Sequence, residues 1–147
     1  MPNWCDNRLA VSGPPVSVME AVRLVEGPER KLDFERLLPT PRDLLDDAGQ
    51  LTSDAPMRFP DWYSWRLEHW GVKWNASDVV RQGYGRTGKV RYRFFTPYGP
   101  PTEFLDHLSA LYPRLTMRLT FEVEYLGDGR AEWRKGHRAV HEENVAV

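Results

Sequence analysis

The sequence contains a single cysteine, Cys5, and no long hydrophobic segment. One cysteine excludes a disulfide within the chain, and its scarcity is typical of proteins from reducing compartments. No run of eighteen apolar residues is present, which excludes a membrane-spanning helix. Residues 1–11 include Trp4, Asp6 and Arg8 instead of the apolar core of a signal peptide. We therefore expect a cytoplasmic protein.

The chain also lacks a strong excess of charge of either sign. Its 147 residues include 20 Lys and Arg and 21 Asp and Glu, for a formal net charge of -1. This balance creates no long-range attraction to nucleic acid or to an acidic membrane, so a polyanion would need a local basic patch. The length suits one domain and is too short for two independent cores.

Aromatic residues, proline and glycine are abundant. The chain has six Trp, six Tyr and six Phe, together 12% of its residues, and these rings can bury large areas in a core. Twelve Pro and eleven Gly predict many turns and short elements. We therefore expect a mixed fold and not a helical bundle.

Hydrophobic periodicity predicts the order strand, helix, strand, insertion, strand, helix, strand. The helices are expected from Ser17 to Gly27 and after Pro100 and Pro101, up to Leu111. The strands are expected at Trp4–Val11, Leu32–Leu37, Val90–Phe95 and Leu115–Tyr125. A hairpin turn at Gly127–Gly129 is expected to lead into one more short strand, Ala131–Trp133.

This order is typical of an α+β fold, the ferredoxin-like split βαβ sandwich with an antiparallel sheet and both helices on one face. We expect one domain over residues 1–134, with an aromatic-rich insertion at about residues 40–80 and a frayed polar tail at 135–147. The insertion is expected to hold a helical turn near Asp43–Asp47, a helix at Trp62–Trp70 and a short strand at Val72–Ala76.

The segment Trp62–Trp74 is rich in aromatic and basic residues. On its predicted helix, one face carries Trp62, Trp65, Arg66, His69 and Trp70. Rings with an arginine and an imidazole among them could bind a flat anionic ligand such as a nucleotide. Alternatively, Arg66 is buried against a carboxylate and a Trp ring, and His69 is a core histidine; we favour this structural interpretation. The candidate ligand-binding residues are Trp62, Trp65, Arg66, His69, Trp70 and Trp74, followed by Arg91 and Arg93.

Three motifs resemble a known family. Residues 1–7 (MPNWCDN), 62–66 (WYSWR) and 70–74 (WGVKW) are similar to those of YubB-like phage and plasmid proteins. Residues 95–101 (FTPYGPP) also resemble a loop of that family, but differ from it at positions 97–99. The resemblance implies a ferredoxin-like domain and an origin in a mobile genetic element. It implies no established activity, so it supplies no catalytic residue.

Two further patterns do not indicate a cofactor or a metal. Residues 83–88 match G-x-G-x-x-G, but they lead into a strand, whereas a dinucleotide site follows a strand and opens a helix. His137 and His141 have the spacing of a helical metal site, yet the surrounding segment is polar and favours a solvated tail. We therefore expect no cofactor and no metal. Cys5 and Asn7 share an apolar strand face, so we expect a buried thiol and an amide that ties down a loop.

A local basic cluster lies around the third predicted strand: Arg81, Arg86, Lys89, Arg91 and Arg93. Basic and aromatic residues on a sheet face are used by ferredoxin-like RNA-binding proteins, although their strand motifs are absent here. The favoured interpretation is a face of ion pairs, in which Glu122 and Glu124 neutralise the arginines and Asp6 and Arg8 extend the ladder.

These observations favour a non-enzymatic binding module that acts on a host protein or on a small, nucleotide-like anion through an aromatic and arginine surface. One alternative is a small enzyme with His69 as acid or base and Asp6 or Glu103 as its orienting carboxylate. Another alternative is a protein that binds single-stranded nucleic acid by stacking. No pattern in the sequence decides the oligomeric state.

Overall fold

A computed structural model of the protein describes residues 2–45 and 61–145. The strands in these ranges are β1 (Trp4–Ser12), β2 (Ser77–Gln82), β3 (Lys89–Pro97), β4 (Thr116–Val123), β5 (Gly127–Arg134) and β6 (His137–Val145). The helices are α1 (Pro15–Val25), α2 (Phe34–Leu37), α3 (Trp62–His69) and α4 (Thr102–Leu111), with a short 3₁₀ turn at Arg42–Leu44. The predicted first strand, the helix at Trp62 and the helix after Pro101 are confirmed.

The strands form one sheet in the order β2-β3-β1-β4-β5-β6, and every neighbouring pair is antiparallel. Strand β1 lies between β3 and β4, so that Arg8 is opposite Arg93 on one side and Thr120 on the other. The predicted α+β class is confirmed. The sheet has six strands, two more than the β-α-β-β-α-β unit contains.

The two faces of the sheet differ sharply in polarity. Alternate residues of the central strands are buried beneath the helices, among them Cys5, Leu9, Tyr92, Phe94 and Leu119. Phe34 joins this core from α2, with its ring centroid 4.5 Å from that of Phe104 and 5.5 Å from that of Trp70. The opposite face, here called the open face, carries exposed charged side chains on β1, β3, β4 and β5.

The strand predicted at Leu32–Leu37 is wrong, since this segment contains the short helix α2. The Asp33 side chain accepts a hydrogen bond from the backbone N–H of Glu35 at 3.0 Å and so caps the helix. The Asn75 side chain accepts a second bond, from the N–H of Phe34, at 2.9 Å. These two polar side chains, one nearby and one distant in sequence, satisfy backbone N–H groups that would otherwise need a strand partner.

The strand predicted at Val72–Ala76 is also wrong, because side chains use the backbone groups that a sheet would need. The N–H of Ala76 donates to the Asn75 side chain at 2.9 Å, and the Ala76 carbonyl accepts from Arg30. Strand β2 begins only at Ser77, so the predicted insertion at 40–80 overlaps a sheet strand. A 3₁₀ turn includes Asp43, whereas the rest of the predicted turn, Asp46 and Asp47, lies outside the described residues.

Two expectations for the C-terminal region are corrected. The turn after β4 spans residues 124–126, where Leu126 N–H donates to Val123 O at 3.1 Å, and not Gly127–Gly129, which belongs to β5. The predicted frayed tail forms β6 instead, paired with β5. Its polar residues stabilise it because Arg130 contacts Glu142 at 2.9 Å and Arg138 contacts Asp106 of α4 at 2.6 Å.

Substitution of Gly129 tests the packing of β5 between its neighbours. A methyl group here would overlap the Phe121 ring and the Glu142 carbonyl oxygen of β6. We expect Gly129→Ala to lower the free energy of unfolding by about 1–3 kcal/mol through overpacking. Gly99→Ala is the matched control, since no atom lies within 4 Å of its added methyl. Equal denaturant midpoints for the two variants would contradict the placement of β5.

Candidate functional site

Arg66 lies in the protein interior and its guanidinium is fully engaged by protein groups. It donates to Thr40 Oγ1 and to the Lys73 carbonyl, both at 3.1 Å, and lies 3.6 Å from a carboxylate oxygen of Glu35. Its Cζ is 4.6 Å from the centroid of the Trp70 ring. Burial lowers the pKa of Arg66, and the Glu35 carboxylate opposes that shift. Arg66 therefore ties α3 to the segments on either side of it.

Trp62 and Trp70 are buried beside Arg66. Trp70 is fully enclosed, and its indole N–H donates to the Leu38 carbonyl at 3.0 Å. The Trp62 ring centroid lies 5.4 Å from Arg66 Cζ. Three of the candidate residues are thus buried. Arg66 lies against a carboxylate and a Trp ring, as the structural interpretation expects, whereas His69 is half-buried and not a core histidine.

Trp65 and His69 form a half-buried stack on α3. Their rings are nearly parallel, with centroids 4.3 Å apart, and His69 Nδ1 lies 2.8 Å from the Trp65 carbonyl oxygen. Within the described residues, no hydrogen bond or ion pair joins His69 to Asp6 or Glu103. The Glu103 carboxylate instead accepts a hydrogen bond from Thr102 at 2.8 Å. Neither carboxylate of the enzymatic alternative is therefore bonded to His69 in the described part of the chain.

Arg91 and Arg93 lie on the open face, in a group of four arginines that we call the arginine cluster: Arg8, Arg91, Arg93 and Arg118. Ala10 of β1 is opposite Arg91 on β3 and opposite Arg118 on β4, while Arg8 is opposite Arg93. Because Ala10 has a short side chain, these arginines surround an open depression of about 620 Å³. All four arginine side chains are exposed.

Two carboxylates neutralise part of this charge. Asp6 lies 2.8 Å from Arg93 and 3.9 Å from Arg8, and its hydrogen bond raises the pKa of Arg93. Glu132 accepts a bond from Arg118 at 2.8 Å, and this bond lowers the pKa of Glu132. Arg91 has no carboxylate partner among residues 2–45 and 61–145. The depression therefore carries a net positive charge.

The rest of the open face is mixed or acidic. On β4–β6, Glu122 is opposite Asp128, and Asp128 is opposite Asn144. Arg130 sits among them and is paired with Glu142 at 2.9 Å. The open face is thus divided into a basic half over β3, β1 and the Arg118 end of β4 and a more acidic half toward β6.

The sequence pattern identifies Arg91 and Arg93 as candidate ligand-binding residues but does not identify Arg8 and Arg118. Alternation on each strand puts these side chains on polar faces, yet only the antiparallel register brings the four together. Within the described chain, the carboxylates that pair with cluster arginines are Asp6 and Glu132; Glu122 and Glu124, which were expected to pair with them, do not. Trp74 also reaches this side, its ring centroid 6.1 Å from that of Trp4.

Cys5, Asn7 and Thr96 form a buried polar chain on the helix-covered face. Asn7 Nδ2 donates to Thr96 Oγ1 at 2.8 Å, and Thr96 Oγ1 donates to the Gly99 carbonyl at 2.6 Å. The expectation of a buried thiol is confirmed. Asn7 reaches the loop only indirectly, because Thr96 of β3 makes the hydrogen bond to Gly99. Desolvation raises the pKa of Cys5 from 9.0 to about 12, so the thiol is not an activated nucleophile.

The glycine-rich motif and the histidine pair both lie in ordinary elements of the sheet and its connections. Residues 83–88 form the β2–β3 connection, a loop that leads into a strand as expected. His137 and His141 lie on strand β6, where His141 contacts Glu143 at 3.1 Å. In the described ranges, no group of three or more His, Cys, Asp or Glu could hold a metal ion. No helix there is long and apolar enough to cross a membrane.

The comparisons with known proteins concern the fold alone. No family model matches the chain, and no curated protein is similar to it. A solved structure that resembles it is that of protein api92 from Yersinia pseudotuberculosis, of family DUF1281. The two chains are 13% identical, with a TM-score of 0.67 over 100% of this chain and 99% of that chain. The YubB resemblance and the cytoplasmic location stay predictions.

Replacing Arg66 tests its structural role. We expect Arg66→Ala to lower the free energy of unfolding by about 2 kcal/mol or more, since Thr40 and Glu35 lose a buried partner. Arg36→Ala on α2, where the arginine is exposed, removes the same charge and should change stability by less than about 0.5 kcal/mol. Urea denaturation of both variants measures the difference, and similar midpoints would refute the structural role.

The raised pKa of Cys5 predicts a loss of stability in alkali. Above its ordinary pKa of 9.0 the unfolded chain releases the thiol proton, whereas the folded chain keeps it until about 12. Stability should therefore fall as pH rises through this window, by at most about 1.4 kcal/mol per pH unit for this group. In Cys5→Ala the decline should begin only near pH 10, where the buried Tyr92 contributes in the same way. Identical profiles between pH 9 and 10 would contradict this.

Proposed function

We propose that this protein is a non-enzymatic binding module whose arginine cluster holds an anionic, phosphate-bearing ligand. The observation that carries this proposal is the placement of four arginines around the depression over Ala10, with only two carboxylates to neutralise them. Guanidinium groups suit phosphate because they donate paired hydrogen bonds and keep their charge. The ligand is expected to compete with Asp6 for Arg93.

This proposal moves the centre of the site from α3 to the open face. Trp62, Arg66 and Trp70 contribute by stabilising the fold, whereas Arg91 and Arg93 remain ligand-binding candidates and Trp74 lies at the edge of the same surface. A host protein with an acidic segment is the alternative occupant. The proposed phage or plasmid origin rests on the sequence motifs at residues 1–7, 62–66 and 70–74 alone.

We further infer that β1–β4, with α1 and α4, form the ferredoxin-like part of the fold. Taken from β4, the order of these strands is β4-β1-β3-β2, and all neighbours are antiparallel, which supports a split βαβ arrangement. Strands β5 and β6 then extend this unit beyond β4. They widen the open face on its acidic side.

Anion binding can be tested with inorganic tripolyphosphate and two variants of opposite expected effect. Arg91→Ala should weaken binding by about tenfold or more, since a charge-assisted contact is worth about 1.5–3 kcal/mol. Asp6→Asn should strengthen binding because it frees Arg93 and Arg8, with little loss of stability from an exposed ion pair. Isothermal titration calorimetry at low salt measures both effects.

Arg36→Ala is the charge-matched control and should bind like the unsubstituted protein. If all four proteins bind tripolyphosphate equally, the anion does not occupy the arginine cluster. If none of them binds it, the proposed function is wrong and a pull-down with acidic peptides becomes the next experiment.

A further inference from the structure

Aromatic side chains border the arginine cluster at one end of the open face. Trp4 lies on β1 on the same face as Asp6 and Arg8, and its ring contacts that of Trp74. Phe95 of β3 is opposite Asp6, and Arg93 Cζ lies 5.6 Å from the Phe95 ring centroid. We call Trp4, Trp74, Phe95 and Tyr98 the aromatic end.

Tyr98 and Lys73 complete this end of the surface. Tyr98 is 53% exposed and has a φ of 67°, an uncommon conformation for a residue with a side chain. Its N–H donates to the Asn3 carbonyl at 2.8 Å, which fixes it beside β1. Lys73 Nζ lies 4.4 Å from the Trp74 ring centroid and 5.3 Å from that of Tyr98. A cation is thus placed among the rings.

We propose that the ligand of the open face is a single-stranded nucleic acid that follows β3, with bases stacked at the aromatic end and phosphates held by the arginine cluster. This proposal rests on the proposed function and specifies its ligand class. Aromatic platforms beside a basic track are how proteins bind single strands without reading their sequence. Every base has a face that stacks, whereas a simple phosphate would gain nothing from the rings.

The spacing along β3 suits an extended polymer. Lys89, Arg91, Arg93 and Phe95 occupy successive positions on the open face, about 7 Å apart, and together span about 20 Å. This track holds several nucleotides, more than a mononucleotide needs. Arg8 and Arg118 lie beside it on the neighbouring strands and can contact the same backbone.

Negative charge on the remainder of the open face favours single-stranded over double-stranded nucleic acid. Glu122, Asp128 and Glu142 lie on β4–β6, next to the basic half. A duplex carries a second row of phosphates and is broad enough to approach these carboxylates, which would repel it. A single strand confined to β3 and β1 avoids them.

Fluorescence anisotropy with labelled oligonucleotides tests this inference on the full chain. We expect both single-stranded RNA and DNA of mixed sequence to bind, with affinity rising from two to about four nucleotides and then levelling, and with duplex binding weaker. Arg91→Ala should reduce the slope of log affinity against log salt by about 0.7, the value for one phosphate contact with a single strand. Arg36→Ala should leave the slope unchanged.

A charge-neutral variant separates stacking from simple anion binding. Phe95→Leu should weaken oligonucleotide binding by about fivefold or more, the effect of a lost base–aromatic stack, and leave tripolyphosphate binding unchanged. If Phe95→Leu and Trp74→Leu, both verified as folded by circular dichroism, bind oligonucleotides normally, the nucleic-acid inference is wrong and anion binding stands. Duplex bound as tightly as single strand would also overturn it. If neither oligonucleotide nor tripolyphosphate binds, the proposed function fails as well.

Discussion

The pairing of β1 with strands on both sides is the constraint on which the rest of the structure depends. In its register with β3 and β4, the side chains that lie beneath the helices are those of Cys5, Asn7, Leu9 and Val11. The same register places its even-numbered residues on the open face. A shift by one residue would exchange the two sets and bury Asp6 and Arg8, so the apolar core and the charged surface specify each other.

The strand register concentrates positive charge in one region of the open face, which the nearly neutral composition of the chain does not indicate. The chain as a whole has a formal net charge of -1, yet the region around Ala10 gathers four arginines against two carboxylates. Elsewhere on the open face, the charge of Arg130 is compensated by Glu142. Balanced surface pairs contribute little to stability. Arg91 has no carboxylate partner in the described part of the chain, and the proposed anion would supply the opposite charge.

The sequence predicts the parts of this structure that depend on local patterns. Alternation over Trp4–Val11 and the prolines before Thr102 identify β1 and α4. The position of Arg66 among the aromatic residues of α3 indicates that its side chain is buried. Several failures depend on side chains distant in sequence. Arg30 binds the Ala76 carbonyl, Asn75 binds the N–H of Phe34, and β6 is held by Arg130 and Asp106 despite its polar composition. The arginine cluster depends on the register between β-strands. The sequence pattern of each β-strand taken alone therefore identifies only Arg91 and Arg93 as candidate ligand-binding residues.

The open face, and not the aromatic helix α3, is the proposed ligand site. Two-dimensional ¹⁵N NMR during titration with tripolyphosphate distinguishes the two surfaces. We expect shifts in the backbone amides and arginine Nε–H groups of Arg8, Arg91, Arg93 and Arg118, with the amides of Trp62–His69 unchanged. Shifts confined to Trp62–His69, with the four arginines unaffected, would contradict it.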